Sequence, residues 1–125
     1  MDKAFVDSCC WLSLFKGEKT AQAVLNEIKS VKTVLTGSLN LLEAAYKIEG
    51  AAGAQAAAQF ISTLMQKAVV VDFCTDDLWE TLRHRRTYNL AAIDAVTAAL
   101  AKKSQAQLLT LDRDFEGVPN VRLIE

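Results

Sequence analysis

Gln107-Leu108-Leu109-Thr110-Leu111-Asp112-Arg113-Asp114-Phe115 is the stretch on which the fold turns. Its first five residues make a short apolar run without strict polar alternation, which reads as a buried strand. The run closes on Asp112. The chain begins the same way: Ala4-Phe5-Val6 is apolar and ends on Asp7-Ser8. Two strands that each finish on an acid set the frame for everything between them.

Working inward, residues 18–29 carry Ala21, Val24, Leu25 and Ile28 at helical spacing. Lys32-Thr33-Val34-Leu35-Thr36 is a second strand, and Ser38 is placed to cap a helix carrying Leu39, Leu42, Ala45, Tyr46 and Glu49. Gly50 and Gly53 end that helix, and the alanine-rich stretch 54–67 starts another. A third strand covers 68–73, apolar enough to be sheltered on both faces. Thr75 caps a helix through Leu78, Trp79 and Leu82, a further helix spans 91–103, and Val121-Arg122-Leu123-Ile124 is a last short strand. Strands alternating with helices predict an α/β fold with a mainly parallel sheet between helical layers. Ligands of such folds sit outside the carboxyl ends of the strands, at the topological switch point. Asp7 and Asp112 both fall there.

A chain of 125 residues, 51% of them apolar and one of them proline, is expected to form a single domain over 1–125. No apolar run reaches the length of a membrane span, and Asp2, Lys3 and Asp7 interrupt any leader-like start. A cytoplasmic protein without a membrane partner is the expectation. Cys9, Cys10 and Cys74 suit a reducing compartment and read as small hydrophobes, because adjacent cysteines lack zinc-ligand spacing. The net charge of −1 gives no general basic footprint, although Arg83-His84-Arg85-Arg86 is a dense basic run and Lys102-Lys103 a second. The run can bind phosphates or can be a solvated helix end.

The acids carry the chemistry. Asp7 could simply cap the turn after its strand. Glu43 lies among Leu41, Leu42, Ala44 and Ala45, where pairing with Lys47 is the plain alternative and an inward-pointing carboxylate the informative one. Asp94 sits in the wholly uncharged surround of 89–100. A first-turn acid for the helix dipole needs no such apolar setting. Strand alternation would set Asp112 and Asp114 on one side and Arg113 opposite. Buried acids are costly unless compensated, and several converging acids favour a divalent cation. This pattern points to a metal-dependent hydrolase.

Phe5-Val6-Asp7-Ser8, Glu43 one turn into a helix, Ile93-Asp94-Ala95-Val96-Thr97-Ala98-Ala99 and Leu108-Leu109-Thr110-Leu111-Asp112-Arg113-Asp114-Phe115 together resemble a PIN-domain ribonuclease. Within that superfamily the chain is similar to VapC-type toxins of toxin–antitoxin modules. The resemblance implies a three-layer α/β/α sandwich in which a quartet of acids binds Mg²⁺ or Mn²⁺ and single-stranded RNA is cut. By that resemblance the quartet falls on Asp7, Glu43, Asp94 and Asp112, with Asp114 as an additional metal-side acid. Ser8 and Thr110 match auxiliary hydroxyls beside the first and fourth acids. Cys9-Cys10-Trp11 departs from the small polar residues usual after the first acid. The resemblance further implies an RNA substrate, a cognate antitoxin and a homodimer, for which Leu12, Leu14, Phe15 and the alanine-rich helix could supply contacts or could be core. Water rather than the 2′-hydroxyl would attack, leaving a 5′-phosphate.

Two rivals differ in class. A phosphate-accepting receiver domain would need paired early acids, an acceptor Asp on a middle strand and a late Lys, none of which is present. A catalytically silent PIN-fold module binding RNA or protein would keep the acids and cut nothing.

Overall fold

The computed structural model describes residues 2–125. Five strands form one sheet in the order β3-β2-β1-β4-β5. They are β1 (Lys3–Val6), β2 (Thr33–Gly37), β3 (Val69–Val71), β4 (Gln107–Thr110) and β5 (Val121–Leu123). Every neighbouring pair is parallel, with Val6 level with Leu109 and Phe5 level with Leu35. Six helices connect or follow them: α1 (Ser8–Lys16), α2 (Ala21–Lys29), α3 (Ser38–Ala52), α4 (Ala54–Lys67), α5 (Leu78–Tyr88) and α6 (Ala92–Lys103).

Strand alternation sorts the core into two halves. Ala4, Val6 and Leu109 pack with residues of α1 to α4 on one face. Phe5, Leu35 and Leu108 pack with α6 and Phe115 on the other. This is the three-layer α/β/α sandwich expected from the sequence, and its sheet is wholly parallel. Ala95, Ala98 and Ala101 are all buried, so α6 lies close against its layer. From β1 the chain moves outward through β2 and β3, then crosses back to β4 on the other side of β1. The switch point therefore lies between the carboxyl ends of β1 and β4.

Several local expectations change. Residues 8–16, given no element from the sequence, form α1. Most of its positions are buried, so no amphipathic stripe marks it. Leu12 is core, and Phe15 meets Phe60 edge to face at 5.3 Å, which resolves both to packing within this chain. Ser38 is the first helical residue of α3 and Gly37 its cap. Gly50 lies inside α3; only Gly53, at φ 95°, breaks the chain before α4. The third strand is shorter than expected and lies at the sheet edge, with Val69 56% exposed. A 3₁₀ turn at Thr75–Asp77 precedes α5, and its Asp77, rather than Thr75, accepts from the Cys74 amide at 2.8 Å. Among the described residues no helix is long and apolar enough to cross a membrane.

Candidate metal centre

Asp7 leaves β1 and becomes the N-cap of α1, its Oδ1 accepting from the Ser8 amide at 2.8 Å. Its amide donates to the Leu109 carbonyl at 3.0 Å, which locks the strand end beside β4. The carboxylate is 5% exposed and surrounded by donors. Thr110 Oγ1 donates to Oδ2 at 2.7 Å, the Cys9 thiol to Oδ2 at 3.4 Å and Asn40 Nδ2 to Oδ1 at 3.2 Å. Burial nevertheless pushes the Asp7 carboxyl above the usual range; Thr110, Ser8 and Cys9 pull against it, and the charge of Glu43 adds to the rise. Four donors hold the carboxylate in place, yet its burial still carries a desolvation cost.

Glu43 projects from the second turn of α3 and accepts from Ser8 Oγ. It lines the pocket together with Lys47. Asp94 lies in the first turn of α6, and Asp112 follows β4. Residues 113–115 form a 3₁₀ turn, so strand alternation does not set the side chains there. Asp112 Oδ1 accepts from the Asp114 amide at 2.9 Å, which curls the turn, and Arg113 swings away to Glu116 and Glu125. The carboxylates of Asp94, Asp112 and Asp114 each offer an oxygen within 4.8 Å of the others.

Asp7, Ser8, Cys9, Glu43, Lys47, Asp94 and Asp112 line one pocket of about 410 Å³. It opens at the switch point, where the N-termini of α1 and α6 turn toward the acids and their dipoles favour negative charge. Asp94 records the crowding: burial first, then Asp7, Asp112, Asp114 and Glu43, raise its carboxyl to about 6. The donor set is all hard oxygen apart from Cys9, the chemistry that suits Mg²⁺ or Mn²⁺.

The structure thus brings Asp7, Glu43, Asp94 and Asp112 into one pocket, adds Asp114 through its triplet, and sets Ser8 and Thr110 against Glu43 and Asp7. It also brings in residues to which the sequence assigned no site role. Cys9, far from being a buried filler, is half-buried in the pocket and accepts from the Leu111 amide at 3.3 Å. Cys74 is exposed, and only Cys10 is fully buried. Asn40 and Thr97 lie beneath the acids; an amide among leucines and a hydroxyl in an uncharged helix were the only signals for them.

The PIN domain family model matches residues 4–121. No curated protein matches the chain in sequence. Among solved structures, a toxin–antitoxin complex from Klebsiella pneumoniae is similar at TM-score 0.79 and 21% identity, covering 95% of each chain. VapC20 from Mycobacterium tuberculosis, a sarcin-ricin loop cleaving toxin, is similar at TM-score 0.77 and 22% identity, over 98% of this chain and 99% of that one. VapBC2 from Rickettsia felis, bound to a promoter DNA fragment, gives TM-score 0.75 at 16% identity, over 97% and 96%. With nearly the whole chain matched and its acids gathered at the switch point, this protein belongs to the PIN domain family.

Proposed function

We propose that the protein is a metal-dependent endoribonuclease that hydrolyses single-stranded RNA, and that it is the toxin of a toxin–antitoxin pair. The observation that carries the reading is the convergence of Asp7, Glu43, Asp94 and Asp112 in one pocket with too little positive charge to neutralise them. In this reading those four residues and Asp114 hold Mg²⁺ or Mn²⁺ through carboxylate oxygens. A bound divalent cation supplies Lewis-acid polarisation of the phosphodiester and a lowered pKa for attacking water.

The chain's own groups do the rest. Ser8 and Thr110 orient Glu43 and Asp7, and Lys47 at the pocket wall is available to a substrate phosphate. The only histidine, His84, packs on α5 with its ring Nδ1 2.9 Å from the Glu80 carbonyl, so proton transfer does not depend on it. Attack by water leaves a 5′-phosphate on the product.

The toxin assignment draws on the similar solved toxin–antitoxin structures and on the apolar rim of the pocket. Leu42 beside Glu43, Tyr46 one turn on, and Ile93 beside Asp94 are 61%, 58% and 43% exposed. Such a rim suits a protein inhibitor laid over the acids or a second copy of the chain. The test is cleavage of an end-labelled cellular RNA pool with Mg²⁺, Mn²⁺ or EDTA, alongside Asp94→Asn. Metal-dependent cuts lost in the variant support the nuclease. Intact RNA with folded, inhibitor-free protein would move the assignment to a silent binding module.

A further inference from the structure

Below the acids lies a buried amide whose position ties the pocket together. Asn40 is 2% exposed, and three of its four hydrogen-bonding directions are engaged. Nδ2 donates to Asp7 Oδ1 at 3.2 Å and to Thr97 Oγ1 at 3.0 Å, while Oδ1 accepts from the Gly37 amide at 3.2 Å. The orientation follows from the partners. Thr97 spends its own proton on the Ile93 carbonyl at 3.1 Å, so it receives from Asn40, and the Gly37 N–H requires an acceptor. Flipping the amide would set its oxygen against the Asp7 carboxylate.

Space has been left for this group. A Cβ at position 37 would stand 2.6 Å from Asn40 Oδ1, although Gly37 has an ordinary extended backbone at φ −86°. Glycine here leaves room for the amide, and for Phe5 and Leu100 beside it, rather than permitting a turn.

Asn40 and two of its partners connect to three of the acids. Asp7 is bound directly. Glu43 lies three residues after Asn40 on the same face of α3, and Asp94 lies three residues before Thr97 on the same face of α6. The Asn40–Thr97 bond therefore sets the separation of α3 and α6 one helical turn beneath the carboxylates. We propose that Asn40, clamped between Asp7 and Thr97, is a positioning residue that sets the width of the metal pocket. The inference rests on the reading of that pocket as a cation site. A hydrogen-bonding partner behind a metal ligand commonly contributes about 10- to 100-fold in metal affinity.

The test is direct titration of RNA-free, full-length protein with Mn²⁺ alone, by calorimetry or by the electron paramagnetic resonance of free Mn²⁺. Asn40→Leu and Thr97→Val are compared with wild type, and melting is followed separately in EDTA. Asn40→Leu should weaken Mn²⁺ binding by about 10- to 100-fold and Thr97→Val by less, in the same direction. A purely structural role would lower the melting temperature in EDTA and leave Mn²⁺ affinity of the folded variant at the wild-type value, which would overturn the proposal. If Asn40→Leu does not fold, Thr97→Val decides by the same criterion. Wild-type protein that binds no Mn²⁺ would instead overturn the reading of the pocket, and this inference with it.

Discussion

The two ends of α6 hold acids in opposite electrostatic states. At its N-terminus Asp94 faces Asp112 and Asp114 with no basic side chain paired to it among the described residues, and its carboxyl rises to about 6. At its C-terminus Lys102 reaches Glu80 on α5, and Lys103 reaches Asp77 in the 3₁₀ turn before it. There Glu80 takes hydrogen bonds from Arg83 at 2.5 Å and Lys102 at 2.7 Å, which hold it down at about 2. Asp77 is held below the usual carboxylate range by the Cys74 amide and Lys103 at 3.0 Å. The C-terminal acids are paired and complete. Those at the N-terminus have no such ion pairs among the described residues and crowd one another beside Lys47, and that difference marks this end as the candidate site.

The largest expected effect is at the unpaired end. Asp94→Asn should lower RNA cleavage by at least about 100-fold, roughly 2.7 kcal/mol of transition-state stabilisation, in a single-turnover assay with Mn²⁺. The same variant should melt no lower than wild type in EDTA, because the lost charge was repelled by its neighbours. Cleavage at the wild-type rate would erase the contrast between the two ends.

Mn²⁺ itself should distinguish them next. At 100 times its dissociation constant, a ligand that binds only the folded state stabilises it by about 2.7 kcal/mol. Thermal melting should shift upward by several degrees in wild type and in Glu80→Gln, but not in Asp94→Asn. An equal shift in all three would mean that the cation binds elsewhere.

Smaller, but sharper, is the dependence on pH. Asp94 has a raised folded-state pKa, so between about 6 and its ordinary 3.8 the folded state binds more protons than the unfolded one. Metal-free protein should therefore gain stability from this group as pH falls through 6, while Mn²⁺ affinity declines because protons compete for the carboxylate. Glu80 runs the other way: its contribution is present above its ordinary 4.5 and fades as pH falls toward about 2. Denaturation of Asp94→Asn between pH 7.5 and 5.5 should lack the Asp94 component, whereas Glu80→Gln should keep it.

The smallest effect belongs to the paired end. Glu80→Gln should lower the melting temperature slightly in low salt, less in high salt, with Mn²⁺ affinity unchanged. A large loss of cleavage in that variant would give the C-terminal end of α6 a role that its geometry does not suggest.

Read as sequence, the basic run at 83–86 looked like one feature; folded, it divides. Arg83 belongs to Glu80, His84 is buried on the inner side of α5, and Arg85 and Arg86 remain exposed. Charge runs are averages over a helix surface, and only rotation about the helix axis decides which members face water. The same helix exposes Leu78, Trp79 and Leu82 at 42%, 77% and 42% while burying Thr81, a reversal that no amphipathic pattern announced.

What the amino-acid sequence determined alone is the alternation of strands and helices, the parallel sheet and the positions of the acids. Those features are local: apolar runs, helical spacing and an acid placed at the end of a strand within a few residues of it. Tertiary structure decided the rest, because it depends on groups distant along the chain. Helix α1 is buried on too many sides to show a period. Asn40 meets Asp7 across 33 residues and Thr97 across 57, and Thr110 reaches Asp7 across 103. The crowding that lifts Asp94 likewise arises only when β1, α3, α6 and the turn after β4 meet at the switch point. A sequence can name the acids; only the fold brings their charges close enough to raise the pKa of Asp94.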